Sequence, residues 1–165
     1  GPGYGMLPSI LKKEFPFSKF ILVDLPEINI LSYFFLKNIF PKSKICLSHE
    51  IENKTVINKE LINQYDFMIL EQDDLKKLED KVVDCAINTA SLGEMSKVDQ
   101  DYYIHQIERF TKKYFYSVNR HRSDNIYFSS TKGYYDFQLD NEIWKIKLYK
   151  FSPTFHIETL LKKIN

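Results

Sequence analysis

No run of apolar residues in this chain is long enough to cross a membrane, and no signal peptide precedes its first strand candidate. A soluble, cytoplasmic protein is expected. Cysteine is scarce: Cys46 and Cys85 each lie in an apolar, strand-like run. Two such thiols exclude a disulfide scaffold and read as buried free cysteines in a reducing compartment. No Cys or His spacing resembles a zinc site, so no metal is expected. The net charge is only +1, with lysines spread along the chain, which removes any global electrostatic reason to expect nucleic acid. Internal repeats, low-complexity tracts and Gly/Ser/Pro linkers are missing as well. The absence of G-K-[ST] argues against a P-loop, and Ser91 lacks the G-x-S-x-G elbow of a hydrolase nucleophile.

What is present is the alternation of an α/β protein. At 165 residues the chain suits one domain with a real core, and a single domain over residues 1–165 is expected. A short helix fits Met6 to Glu14, with Pro8 tolerated in its first turn. Phe20-Ile21-Leu22-Val23 is a continuous apolar run, as for a strand buried on both faces. An amphipathic helix follows from about Glu27 to Ile39, its apolar run broken by Asn29, Ser32, Lys37 and Asn38, and Pro41 stops it. Ile45 to Leu47 and Phe67 to Leu70 are strand candidates, with a short helix around Asn58 to Gln64 between them.

Val82 to Ile87 reads as the next buried strand. Ser96 and Asp99 resemble a capping box that opens a helix to about Lys112. Tyr114 to Val118 is a further strand, and Arg120 to Gly133 reads as an irregular loop. Strands around Ile143 to Leu148 and Phe155 to Leu161 close the chain. The alternation implies a parallel sheet with right-handed crossovers, and the two closing strands imply an antiparallel edge. That layout is Rossmann-like.

The first helix is immediately preceded by Gly1-Pro2-Gly3-Tyr4-Gly5. Glycines there let the backbone turn sharply and approach a ligand closely, while the helix aims its N–H groups at it. Glycine spacing alone fits a bare turn equally well. Asp24, ending the run Ile21-Leu22-Val23, adds a carboxylate placed to accept hydrogen bonds from both hydroxyls of an adenosine ribose. Its plainer role would be to cap the following helix. Loop, helix, strand and acid in this order favour a nucleotide site. A dinucleotide fold would want a third glycine where Met6 stands, and the G-x-G-x-G spacing is more usual for S-adenosylmethionine (SAM).

These residues resemble a family. Gly1 to Gly5 followed by Met6 to Leu11 looks like motif I of class I SAM-dependent methyltransferases. Ile21-Leu22-Val23-Asp24-Leu25-Pro26-Glu27 is similar to the strand end of the sugar O-methyltransferases, and Asn88-Thr89-Ala90-Ser91-Leu92-Gly93-Glu94-Met95 resembles their segment after the fourth strand. Tyr114 to Arg120 is similar to their aromatic fifth strand ending in Asn. The resemblance implies that Gly1, Gly3 and Gly5 pack against the cofactor, that Asp24 binds the ribose and that Leu25 packs near the adenine. It also implies that Gln72 and Asp73 edge the adenine, that Asn88 and Thr89 lie beneath the sulfonium, and that Ser91 and Glu94 face the substrate. The family carries a strand ahead of motif I. The chain opens at Gly1, so a processed, tagged or N-terminally truncated chain without its first strand is expected, and Gly1-Pro2 also fits a protease scar.

Methyl transfer to a sugar hydroxyl needs alignment, exclusion of water and a base for the hydroxyl proton. Glu94 is the first candidate base, ahead of His121 and His49. Asn119 and Arg120, with His121 and Arg122, end the fifth strand at the carboxyl edge, where open α/β sheets place substrates. Tyr127, Tyr134 and Tyr135 could add an aromatic platform. Asp73 and Asp74 at a helix start read as dipole partners before they read as a metal site, and His105 and His156 read as structural. The expected activity is O-methylation of a glycan or glycan precursor in polysaccharide biosynthesis, on a small-molecule or glycan substrate, with a homo-oligomer left open. Two rivals stand beside it: a truncated, non-catalytic interaction module, and an NAD-dependent oxidoreductase.

Overall fold

Local signals set most of the element boundaries. The computed structural model describes residues 1–53, 55–120, 140, 142–151 and 156–164. Helices α1 (Met6–Glu14), α2 (Pro26–Ile39), α3 (Lys59–Asn63) and α4 (Lys97–Phe110) alternate with strands β1 (Phe20–Val23), β2 (Ile45–Leu47), β3 (Phe67–Leu70), β4 (Val83–Thr89), β5 (Thr111–Arg120), β6 (Trp144–Phe151) and β7 (His156–Lys163). Pro26 opens α2, where a missing N–H costs nothing. Asn58 caps α3 by accepting the Leu61 N–H at 3.0 Å, and Ser96 caps α4 by accepting the Asp99 N–H at 3.2 Å. Helix α4 was expected to reach Lys112 but stops at Phe110. Thr111, fully buried and β-branched, already pairs with Val83 as the first residue of β5. No helix among the described residues is long and apolar enough to cross a membrane.

The chain forms two compact units, Gly1–Glu79 and Asp80–Asn165. In the first, a parallel sheet runs in the order β1-β3-β2. All four residues of β3 are buried, whereas only Leu22 of β1 is fully so. The expectation that Phe20 to Val23 is buried on both faces is therefore corrected. Strand β3 has a neighbour on each side, while β1 has one among the described residues. Leu22, Leu36, Phe67 and Ile69 form the core, each worth roughly 1.5–3 kcal/mol of burial.

Helix α2 packs in an unexpected sense. Its buried stripe is Asn29, Ser32 and Leu36, spaced along one face, while Ile30, Leu31 and Phe34 are exposed. The two buried polar residues are there because each has backbone to bond. At the amino ends of the strands, buried Lys12 donates to Asp66 Oδ1 at 3.0 Å and to the Ser18 carbonyl at 2.8 Å. Burial alone would raise the Asp66 carboxyl. The Lys44 N–H and the Lys12 ammonium outweigh that and hold it below the usual carboxylate range.

In the second unit the order is β4-β5-β7-β6, with β4 and β5 parallel and the other two pairings antiparallel. The closing strands thus form the expected antiparallel edge, with β7 placed between β5 and β6. Trp144, Phe115 and Leu161 are buried, and Lys163 lies over the Trp144 ring at 5.9 Å while donating to the Thr111 carbonyl at 2.8 Å. Cys46 is buried as expected, but Cys85 is exposed. It alternates with Ala86, the one fully buried residue of β4, and so falls with Ile87 on the open positions of that strand.

Candidate functional site

In Gly1–Glu79, the glycine loop is held by main-chain contacts. Gly3 donates its N–H to Asp24 Oδ2 at 3.2 Å and accepts the Ser32 hydroxyl on its carbonyl at 2.6 Å. Gly5 has φ 97 and sits against Leu36, so a Cβ there would be strained and would meet Leu36 Cγ at 3.2 Å. A Cβ on Gly1 would lie 2.1 Å from Asp24 Oδ2. The loop is therefore fitted around the Asp24 carboxylate. Tyr4 anchors it from outside, its ring edge-on to Phe35 at 5.0 Å.

Asp24 does not cap α2. The helix begins after Leu25, and Asp24 Oδ1 instead accepts the Leu25 N–H at 2.9 Å. The carboxylate thus receives the Gly3 and Leu25 N–H groups, one on each oxygen, and is oriented by them. Leu25 is 61% exposed beside it. Strands β1 and β3 pair through Val23 and Leu70, so Asp24 and Glu71 leave neighbouring strands at one level. Between these departing chains, Asn29 Nδ2 donates to the Asp24 carbonyl at 3.1 Å and to the Leu70 carbonyl at 2.9 Å.

The segment after β3 is pinned by its second acid. Asp74 is buried, accepts the Ser48 hydroxyl at 2.5 Å and the Glu71 N–H at 3.0 Å, and pairs with Lys77 at 2.9 Å. Burial would raise its carboxyl, but the Ser48, Lys77 and Glu71 contacts hold it low. Gln72 and Asp73 are left exposed on the turn, with Asp73 3.5 Å from Lys76. The two acids read together in the sequence are thus separated in role. Among the described residues no group of three His, Cys, Asp or Glu side chains could hold a metal ion.

In Asp80–Asn165, the turn after β4 is woven from side-chain amides. Asn88 Nδ2 donates to Ser91 Oγ at 2.7 Å, and Asn88 Oδ1 accepts Asn119 Nδ2 at 3.0 Å and the Leu92 N–H at 3.3 Å. Asn119 Nδ2 also donates to Ser117 Oγ at 2.8 Å, and its Oδ1 accepts the Gly93 N–H at 3.3 Å. From α4, Gln100 Nε2 donates to the Leu92 and Met95 carbonyls at 3.0 and 3.2 Å. Ala90 sits at φ 53, which costs a residue with a Cβ about 1 kcal/mol, and its N–H donates to the Val118 carbonyl at 2.7 Å.

Glu94 is exposed on this turn, Asn88, Thr89 and Ser91 are half-buried, and Asn119 is only 2% exposed. Asn119, expected at the substrate, has its amide committed to Asn88, Ser117 and Gly93; it supports the turn from beneath. Arg120 ends β5, with its main chain in register with His156. His121 and Arg122 lie outside the described residues, as do Tyr127, Tyr134 and Tyr135. His49 is exposed in the first unit and His105 on α4, while His156 is half-buried in β7. Sequence reasoning missed Asn29, Ser32, Ser117 and Gln100. For Asn29 and Ser32 a signal existed: two polar residues three apart in an apolar helix, just after the acidic strand end.

No family model matches the chain, and no curated protein matches it in sequence. Among solved structures, the PH0226 protein from Pyrococcus horikoshii OT3 superposes on 99% of this chain and 79% of its own, with a TM-score of 0.67 at 11% identity. The pyocyanin biosynthetic protein PhzM covers 99% of this chain with 48% of its own, at a TM-score of 0.55 and 9% identity. An rRNA methylase from Escherichia coli fits more loosely, at a TM-score of 0.45 and 16% identity over 96% of this chain and 63% of its own, and carries no argument. At these identities the likeness is one of fold: the chain shares a Rossmann-like α/β fold with these structures, its sheets mostly parallel with antiparallel C-terminal strands.

Proposed function

We propose that this chain is a SAM-dependent O-methyltransferase whose acceptor is a sugar hydroxyl of a glycan or glycan precursor. The observation that carries the reading is the fit of the glycine loop around Asp24, whose carboxylate is held by two backbone N–H groups at the end of β1. Such a carboxylate suits the paired hydroxyls of a ribose, and backbone without Cβ atoms admits the rest of a nucleoside. Gly1, Gly3, Gly5 and Asp24 take the methionyl-ribose part in this reading, Leu25 packs near the adenine, and Gln72 and Asp73 take the adenine edge. Asn88 and Thr89 are assigned to the sulfonium side, and Ser91, Arg120 and the support of Asn119 to the acceptor.

When bound, SAM supplies a methyl group on a positively charged sulfur. In this reading the cofactor would give that methyl to the acceptor oxygen and leave as a neutral thioether, and Glu94 would take the acceptor's hydroxyl proton. His121 is the alternative base. The choice of a sugar is supported by the resemblance of residues 21–27 and 88–95 to sugar O-methyltransferases. The free thiols Cys46 and Cys85 suit a reducing compartment.

Isothermal titration with S-adenosylhomocysteine, adenosine and NAD tests this reading. The chain should bind S-adenosylhomocysteine, and Asp24→Ala should weaken it by at least about tenfold through loss of a charge-assisted pair of hydrogen bonds. Binding of NAD in preference would turn the reading to an oxidoreductase. Binding of none of the three would leave an interaction module.

A further inference from the structure

The fork where β1 and β3 part company is closed by one side chain. The last rung of their ladder joins Val23 to Leu70, and beyond it the chains diverge, one into α2 and the other into the Glu71 turn. The carbonyls of Asp24 and Leu70 lie at that divergence. Asn29, the fourth residue of α2, gives its amide nitrogen to both, at 3.1 and 2.9 Å. It acts as a surrogate rung in place of the strand that no longer runs there.

The residue is over nine-tenths buried, yet its Oδ1 has no hydrogen-bond partner among the described residues. Leaving a buried acceptor bare is unfavourable, so the amide is not the choice of a helix packed for stability alone. What the amide supplies is a fixed separation between two carbonyls. Those carbonyls belong to Asp24, which carries the ribose-binding carboxylate of the proposed function, and to the residue preceding the Glu71 to Asp73 turn. One turn along the same helix face, Ser32 holds the Gly3 carbonyl at 2.6 Å. A single face of α2 therefore sets the strand fork and the glycine loop together.

We propose that Asn29 is the positioning residue of the nucleoside site, fixing Asp24 against the Glu71 to Asp73 turn. The inference rests on the proposed nucleotide reading and adds the part of the ligand it governs. Asn29 acts through backbone, not by touching the methyl group. Its removal should weaken adenosine and S-adenosylhomocysteine by the same factor, because both carry the nucleoside.

The test uses the full chain and two substitutions: Asn29→Leu, which keeps the branched outline and heavy-atom count but removes the donors, and Asn29→Ser, a smaller variant should the first fail to fold. Titration with adenosine and with S-adenosylhomocysteine should show Kd raised by about tenfold for both ligands. Hydrogen exchange without ligand should show faster exchange at the amides of Leu25 and Gln72, with the sheet amides of β3 unchanged. An unaltered Kd in a folded variant overturns the inference while leaving the nucleotide reading in place. A loss for S-adenosylhomocysteine but not adenosine also overturns it, since the effect would then lie outside the nucleoside. If the unsubstituted chain binds neither ligand, both readings fall together.

Discussion

The loop before α1 and the turn after β4 are built on opposite plans. From Gly1 to Gly5 the main chain makes the contacts, giving an N–H to Asp24 and a carbonyl to Ser32, and side chains stay out of the way. From Asn88 to Glu94 the amides of Asn88, Asn119 and Gln100 take up the backbone groups of the turn, and even an alanine is held at positive φ. A bare backbone leaves room for a ligand to come close. The woven turn is held by those amides, and its one acid, Glu94, is exposed. The contrast separates a loop that makes its contacts through backbone from a turn held by side-chain amides.

The largest way to break that contrast is at Asn119. Asn119→Leu should remove about 3 kcal/mol of stability, since it strands buried partners on Asn88, Ser117 and Gly93 at once. Urea denaturation measures this, and a loss below about 1 kcal/mol would show that the turn does not depend on its amides. Next comes Gly5→Ala, where a left-handed φ combines with a contact on Leu36; a cost of about 2 kcal/mol is expected in the same assay.

Acidification is the third. Asp66 and Asp74 have folded-state carboxyls held below their unfolded values, so the folded state binds fewer protons there. Their contribution is whole above the ordinary carboxylate range and is lost as pH falls through the depressed values. Both belong to Gly1–Glu79, so hydrogen exchange on lowering the pH should loosen that unit. Lys163 in the other unit works at the alkaline end. Burial, aided by Lys81, lowers its ammonium, and stability gains as pH rises through its folded value towards the ordinary lysine range. The smallest effect is expected from Ala90→Gly, which relieves the positive φ but loosens the unfolded chain. A gain of no more than about 1 kcal/mol in the thermal unfolding free energy should result.

Much of the framework was legible in the sequence because it is written in local signals. Met6 to Glu14, Phe20 to Val23 and Phe67 to Leu70 come out with the residue bounds expected, and the Gly1 to Gly5 loop does meet Asp24. Burial was read less well. Apolar content could not tell β1, which has one neighbour among the described residues, from β3, which has two, because that depends on neighbours drawn from elsewhere in the chain. Cys85 misled for the same reason. Asn29, Ser32 and Asn119 look like surface residues until the distant carbonyls and amides they bond are known. Glu94 was placed by resemblance, and the structure adds what supports it, not what it acts upon.

The parallel register also bears on how the chain reaches its native state. In Gly1–Glu79, Phe67 meets Phe20 on one side and Ile45 on the other, so each pairing must close a long stretch of chain. Phe151 and Ile157 form the short-range exception, as partners in the antiparallel β6–β7 ribbon. Loop closure of this kind is an entropic toll collected before any contact rewards it. The ribbon is the sheet contact within easiest reach of an unfolded chain, and β3, the most buried strand, is among the last to find both neighbours. Until it does, Phe67-Met68-Ile69-Leu70 is an uncovered apolar strand, the kind of surface that promotes aggregation during refolding.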